Sequence, residues 1–339
     1  MEQTNQYPPW EVHEYYWLSP GKQSSRRHKI DSCYRLTMAK ISQALGRVPS
    51  SFGTPEDMAY NIAGIRRKTY TPKQQIDVQR GILLEPVARD WLSETIVSNT
   101  TLIEMLTTNL NSIQNETSNI SSSSPGSPSV AASPVMTSIY IDDSNVNTEQ
   151  AQSITEPAIV DTRVSDTKVS DPRASDTPDK YRMLLNSHPE LSHIREVGVA
   201  VPKWNPILCA SPDGLIGTEF GIEIKSPNQM YQKLIDFQNN LVQNGHPGTY
   251  DHIYNNHYDQ IQGGMMIFNL SKWIYFVYCQ KTNTKYLEVI PFHANHCHML
   301  NSLGTHFYDR SVRPLLGRKK PIDPSNPDYS PHSKYLADG

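Results

Sequence analysis

The chain has 339 residues, 31 Lys+Arg against 34 Asp+Glu for a net charge of −3, 37% hydrophobic residues and a mean hydropathy of −0.55. That length suits one large domain or two smaller ones, and so low a hydropathy implies that part of the chain builds no packed core. The cysteines Cys33, Cys209, Cys279 and Cys297 form no C-x-x-C pair, which speaks against a zinc ribbon or a disulfide framework. No stretch approaches 18 apolar residues and no basic-then-apolar leader opens the sequence, so an intracellular protein that is neither secreted nor embedded in a membrane is expected.

Residues 1–30 read as a polar arm with Tyr15, Tyr16, Trp17 and the basic cluster Arg26, Arg27, His28 and Lys29, either solvated or laid on phosphates. A helix is predicted from about Tyr34, with Leu36, Ala39, Ile41, Ala44 and Leu45 apolar and Gly46 as its stop. A second helix is predicted from about Pro72 to Ile96, with an apolar stripe of Leu84, Val87, Ala88 and Trp91 and a bend at Pro86. Glu85 lies beside that stripe, where a carboxylate is costly unless it is paired or holds a metal.

Between Met105 and Pro178 there are nine acidic and three basic residues, which leaves +3 on the remainder. This segment carries a Ser/Pro run at Ser121–Pro128 and a decaying five-residue repeat from Val164, and Tyr140 is its one aromatic residue. Such a composition cannot offset its ordering entropy, so a disordered insertion is expected. The mildly basic remainder is compatible with a nucleic-acid partner.

Order resumes at His188-Pro-Glu-Leu and a strand over Glu196–Val201, which leads to the most informative stretch, Cys209-Ala-Ser-Pro-Asp-Gly-Leu-Ile-Gly-Thr-Glu-Phe-Gly-Ile-Glu-Ile-Lys-Ser-Pro227. It reads as a β-hairpin with turn chemistry at Gly217–Gly221 and a second arm in which Glu223 and Lys225 share one face while Ile222 and Ile224 take the other. Asp213 lies across the hairpin, close enough to converge with Glu223 on one ion. Two carboxylates and a backbone carbonyl suit Mg²⁺ or Mn²⁺, and Lys225 can hold or activate a water. A surface ion pair on an ordinary hairpin is the alternative.

Further helices are predicted over Tyr231–Leu241 and over His257–Ile267, where Gly263-Gly264 requires close packing against another element. Trp273–Cys279 and Lys285–Ile290 are β-prone and read as paired strands. His293, His296, Cys297 and His298 lack a second ligand pair at zinc spacing and read as a helix start. The segment after Arg313-Pro, with Arg318-Lys-Lys320, reads as extended and loosely held.

Asp-x9-Glu-x-Lys at Asp213, Glu223 and Lys225 is the PD-(D/E)XK nuclease signature. The fuller Ser-Pro-Asp-Gly-Leu…Glu-Ile-Lys-Ser-Pro string resembles the lambda exonuclease and YqaJ-type viral recombinase family, whose relatives include viral alkaline nucleases. The resemblance spans roughly residues 30–100 and 180–315 and implies a restriction-endonuclease-like α/β core, a mixed central β-sheet flanked by helices. On that basis the domain reading is an arm (1–30), one nuclease domain (31–104 and 179–315), the disordered insertion (105–178) and an extended tail (316–339). Glu85 precedes the insertion and Asp213 follows it, and both are assigned to one site.

The resemblance further implies a Mg²⁺- or Mn²⁺-dependent exonuclease, 5′→3′ on double-stranded DNA, with two ions held by Asp213, Glu223, the Ile224 carbonyl and Glu85, the last matching the family's Gly-x3-Glu-x2-Ala helix with Ala88. Gln262 matches the family's Y-x-Q-V-Q glutamine, with Gln260 as the alternative. The family's 5′-phosphate segment aligns with Leu36–Gly46, but its serine position is Ala39, which leaves Arg35, Thr37 and Ser42 as substitutes. A homotrimeric ring, a single-strand annealing partner and work in the nucleus or cytoplasm of a host cell belong to the same expectation. Two rival readings remain: a structure-specific endonuclease on the same core, and a catalytically idle DNA-binding recombination partner.

Overall fold

The computed structural model describes residues 9–23, 25–66, 69–98, 138–141, 193–244 and 249–326. Most of the expected insertion, with His188-Pro-Glu-Leu and the end of the tail, lies outside the described residues. The elements in chain order are β1 (Glu11–Val12), β2 (Tyr16–Leu18), α1 (Arg26–Asp31), β3 (Leu36–Thr37), α2 (Met38–Ala44), α3 (Pro55–Ile62), α4 (Pro72–Ser98), β4 (Ser138–Ile141), β5 (Ile194–Arg195), β6 (Ala200–Pro202), β7 (Leu208–Cys209), β8 (Gly214–Ile216) and β9 (Phe220–Lys225). They continue as α5 (Gln232–Asn244), α6 (Asn255–Phe268), β10 (Lys272–Cys279), β11 (Thr284–Pro291), α7 (Ala294–Phe307) and α8 (Arg313–Leu316).

The main sheet has the order β4-β11-β10-β9-β8-β5. The β9–β10 pair is parallel and the other pairs are antiparallel, so the sheet is mixed, flanked by helices in an α/β fold. A parallel pair needs a long crossover, and α5 and α6 supply it between β9 and β10. Strand alternation divides the core between the two sheet faces. Ile222, Ile224, Ile274 and Phe276 pack with Ala88, Leu92 and Ile96 of α4 on one face. Trp273, Tyr275 and Val277 pack with residues of α2, α3 and α6 on the other.

Local chemistry explains how α3 starts and how α6 packs. Thr54 and Asp57 form a capping box at the start of α3, with Pro55 in the first turn. At the packed faces of α6, a Cβ on Gly263 would meet Met38 Sδ at 2.3 Å, and one on Gly264 would meet the Trp273 ring at 2.5 Å. The close packing predicted for the glycine pair is therefore present.

Several expectations are corrected. Residues 1–30 were read as a polar arm, either solvated or laid on phosphates, but the described residues from 9 onward pack into the body: Trp10 and Leu18 are buried, Tyr16–Leu18 pairs with Ala200–Pro202, and Arg27 is ion-paired with buried Asp31 at 2.6 Å. The helix predicted from Tyr34 begins at Met38, because Tyr34 is left-handed (φ 59°) and Leu36–Thr37 pairs with Leu208–Cys209. On α4 the buried stripe is Leu84, Ala88, Leu92 and Ile96, whereas Val87 is exposed, and the helix continues through Pro86. The hairpin turn is shorter than expected, since β9 already starts at Phe220. Four residues of the expected insertion, Ser138–Ile141, are described, and they pair with β11 at the sheet edge. The tail is held in part: Ile322 is buried, and Lys319 donates to the Ala63 carbonyl.

Candidate functional site

The hairpin of β8 and β9 places its charged residues as the alternation dictates. Ile222 and Ile224 enter the α4-side core, and Glu223 points to the opposite side, toward α6. The Glu223 side chain is buried (1% exposed). Its Oε1 accepts from Lys225 Nζ, and its Oε2 accepts from Gln260 Nε2 at 2.7 Å. Lys225 Nζ also lies 3.4 Å from Gln260 Oε1, which closes a three-residue ring. Asp213 stands where β8 begins and β9 ends. Its Oδ2 accepts the Ile224 backbone N–H at 2.6 Å and its Oδ1 accepts from Gln23 Nε2 at 3.3 Å.

Glu85 comes from α4 on the other face of the sheet. It is ion-paired with Arg89 one turn along at 2.5 Å, and Arg89 also pairs with Glu196. The charge of Glu85 reaches Asp213, Glu223 and Lys225, so the three carboxylates act on one another electrostatically. Burial first, then repulsion from Asp213, pushes the Glu223 carboxyl up to about 8 against the pull of Lys225. Burial and Asp213 likewise raise Glu85 to about 7, against Arg89. Burial opposes the charge on Lys225, but Glu223 and Asp213 outweigh it and hold the ammonium above its ordinary pKa. Three carboxylates therefore share the nearby charge of Lys225 and Arg89, and Arg89 is divided with Glu196.

That donor set fits a hard divalent cation: oxygen ligands with negative charge in excess, in a site where an added positive charge relieves repulsion. Among the described residues no three His, Cys, Asp or Glu side chains are grouped as a finished metal cage. In this arrangement both Glu223 oxygens are taken by Lys225 and Gln260.

Of the two candidate glutamines, Gln260 meets the site. Gln262 donates instead to the Pro291 carbonyl at 2.9 Å and accepts from the His293 N–H at 2.8 Å, so its assignment to the site is corrected. Residues two apart on a helix lie about 200° around the axis, and one face alone can look at Glu223. Arg35 and Ser42 are buried in the frame. Arg35 donates to the carbonyls of Pro206, Asp31 and Ile322, and the Ser42 hydroxyl donates to Asp259 and lies 3.2 Å from the Asn255 carbonyl. These bonds take both away from any terminal phosphate, while Thr37 lines a cavity that also reaches Glu223. His293, His296 and Cys297 mark the start of α7 as expected; His296 bonds Asp259 at 2.7 Å and Cys297 Sγ bonds the Gln262 carbonyl at 3.3 Å.

Gln23 and Arg89 were missed by the sequence reading. Arg89 is signalled by its i,i+4 spacing from Glu85. Gln23 lies in the presumed arm and carries no local signal.

No protein-family model and no curated protein sequence matches the chain. Among solved structures, an alkaline exonuclease (LHK-Exo) from Laribacter hongkongensis superposes with a TM-score of 0.45 at 12% identity, over 86% of this chain and 94% of that one. LHK-Exo in complex with dAMP gives 0.44 at 12% identity, over 85% and 93%.

Proposed function

We propose that the chain is a metal-dependent deoxyribonuclease of the lambda exonuclease and YqaJ-type recombinase family, acting as a 5′→3′ exonuclease on duplex DNA. The observation that carries the reading is the Glu223–Lys225–Gln260 ring, buried beside two further carboxylates with less cationic charge than they need. A strand-surface ion pair would be exposed and would need neither the amide nor the surplus of acid.

Asp213, Glu223, Glu85 and the Ile224 carbonyl would hold one or two Mg²⁺ or Mn²⁺ ions. These would supply Lewis-acid polarisation of the phosphodiester. Lys225, held protonated, positions the attacking water and stabilises the negative charge that develops on the phosphate oxygens. Gln260 fixes the rotamers of both Glu223 and Lys225 through one amide. Arg89 fixes Glu85 in the same way from one helical turn away. The family resemblance extends the proposal to a homotrimeric ring and a single-strand annealing partner.

The test is incubation of the purified protein with linear and covalently closed circular duplexes, with and without Mg²⁺. Loss of linear DNA in Mg²⁺ with the circle untouched is expected. Cutting of the circle moves the reading to an endonuclease, and binding without cleavage makes the chain an idle DNA-binding partner.

A further inference from the structure

His257 and Tyr275 are both buried, and the proposed chemistry uses neither. His257 is on the first turn of α6 and Tyr275 is in the middle of β10. The imidazole Nδ1 and the phenol oxygen lie 2.8 Å apart and share a hydrogen bond. The rings of Tyr231, Tyr254 and Tyr275 surround the imidazole, with centroids 5.6, 5.7 and 5.8 Å from its own. Burial first, then the charge of Lys225, holds His257 well below its ordinary pKa, so the imidazole is neutral and adds no cation to the site.

Two positions tie this pair to the site. On β10, Tyr275 is the register partner of Glu223 in the parallel β9–β10 pair, so the two side chains stand side by side on the α6 face. On α6, His257 precedes Gln260 by three residues, and residues three apart share a helix face. That face therefore makes two polar ties to adjacent strands at one level: Gln260 to Glu223 at 2.7 Å, and His257 to Tyr275 at 2.8 Å. A hydrogen bond is directional where an apolar contact is not, so the second tie fixes the rotation of the helix that carries the first. Gln262, about 140° around the axis from His257, is turned by the same setting to Pro291 and His293.

We propose that His257 and Tyr275 are positioning residues: their hydrogen bond sets the rotation of α6 over β9 and β10 and thereby aims the Gln260 amide at Glu223 and Lys225. The inference rests on the nuclease reading for its effect on turnover and on the contacts alone for its effect on Gln260. Both residues act through Gln260. A pair that served only to fill the core would matter equally with or without that amide.

The experiment has two arms. In the first, single-turnover cleavage of linear duplex in Mg²⁺ is measured for Tyr275→Phe, which removes the hydroxyl and keeps the ring, in the parent and in Gln260→Ala. Tyr275→Phe should slow cleavage about fivefold in the parent with DNA affinity unchanged, and less than about twofold in Gln260→Ala, where the group it acts through is already gone. His257→Leu should match Tyr275→Phe. His257→Asn, whose amide reaches the position of Nδ1, should keep cleavage within about twofold of the parent. In the second arm, ¹⁵N NMR without DNA or metal follows the side-chain amide of Gln260, identified by its loss in Gln260→Ala. Tyr275→Phe should shift that resonance, and His257→Asn should leave it near the parental position. A cleavage loss of the same size in both backgrounds, an unmoved Gln260 amide, or His257→Asn as slow as His257→Leu overturns the proposal and leaves the pair as core packing. If the parent cleaves no duplex, the nuclease reading falls and the Gln260 resonance decides the positioning alone.

Discussion

Asp259 and Gln260 are neighbours on α6, and they belong to two buried carboxylate clusters held in opposite ways. Asp259 has no exposed surface and is met by Arg47 Nε at 2.9 Å, His296 Nε2 at 2.7 Å and the Ser42 hydroxyl, so a single acid draws on two basic side chains from α7 and the end of α2. Glu223, equally buried, has one ammonium and one amide, and it faces the repulsion of Asp213 and Glu85. The difference separates a cluster that ties three helices together from one left short of positive charge. The first is complete within the chain, and in the function proposed above the second would be completed by a cation from outside.

The largest effect that would break this contrast is on stability. Asp259→Ala strands the Arg47 guanidinium in a half-buried position and unties α2, α6 and α7. Denaturant unfolding should show a loss of about 3–5 kcal/mol. A loss under 1 kcal/mol would place Asp259 among unimportant surface pairs.

Lys225→Ala should act on turnover, lowering single-turnover cleavage of linear duplex by roughly 10²–10³, with DNA affinity nearly unchanged because one ammonium is a small part of the phosphate contacts. Lys225→Arg should not restore it, since a planar guanidinium does not replace a compact ammonium. Cleavage at the parental rate by the alanine variant would return Lys225 to a plain ion-pair role.

Cation binding sharpens the comparison in the absence of DNA. Mg²⁺ or Mn²⁺ at about 100 times its Kd should stabilise the parent by about 2.7 kcal/mol, read as a shift in melting temperature, and Asp213→Asn should abolish that shift. An undiminished shift in the variant would place the ion elsewhere.

The two glutamines give a smaller effect. Gln260→Ala should cut turnover by about tenfold, the cost of about 1.4 kcal/mol in positioning, whereas Gln262→Ala should act on stability through its bonds to Pro291 and His293. Reversal of the two phenotypes would restore the assignment made from sequence.

The last comparison concerns pH and His28. Its folded pKa is lowered to about 4 by burial, below the ordinary value of 6.5. A depressed pKa contributes stability above the unfolded value, and that contribution is lost as pH falls from about 6.5 toward about 4, because the unfolded chain takes up the proton first. His28→Gln should flatten this part of the stability–pH curve. An unchanged slope would show that His28 titrates normally.

Asp213, Glu223 and Lys225 were legible because a strand has a side-chain period of two and turn residues mark the hairpin, both of them local signals. The facing of Glu223 and Ile222 followed from the same period. Glu85 was legible as a carboxylate beside an apolar stripe, although the stripe itself was misplaced: Val87 was counted in and Leu92 left out, since an adjacent apolar residue looks the same in sequence whether it faces the core or water. The choice between Gln260 and Gln262 was not legible, because it depends on how α6 is rotated over β9. The Met38 and Trp273 contacts of Gly263 and Gly264 are part of that seating.

The sequence by itself determined which residues have the chemistry of the site and where strands and helices alternate, because hydrogen-bonding period and turn preference act over a few residues. Tertiary structure alone decided that Trp10, Leu18 and Ile30 join the body, that Arg35 and Ser42 are spent on the frame, and that Gln23 and Gln260 reach Asp213 and Glu223. Those are contacts across tens to hundreds of positions in the chain. They are selected by the packing of whole helix and sheet faces, which no local pattern encodes.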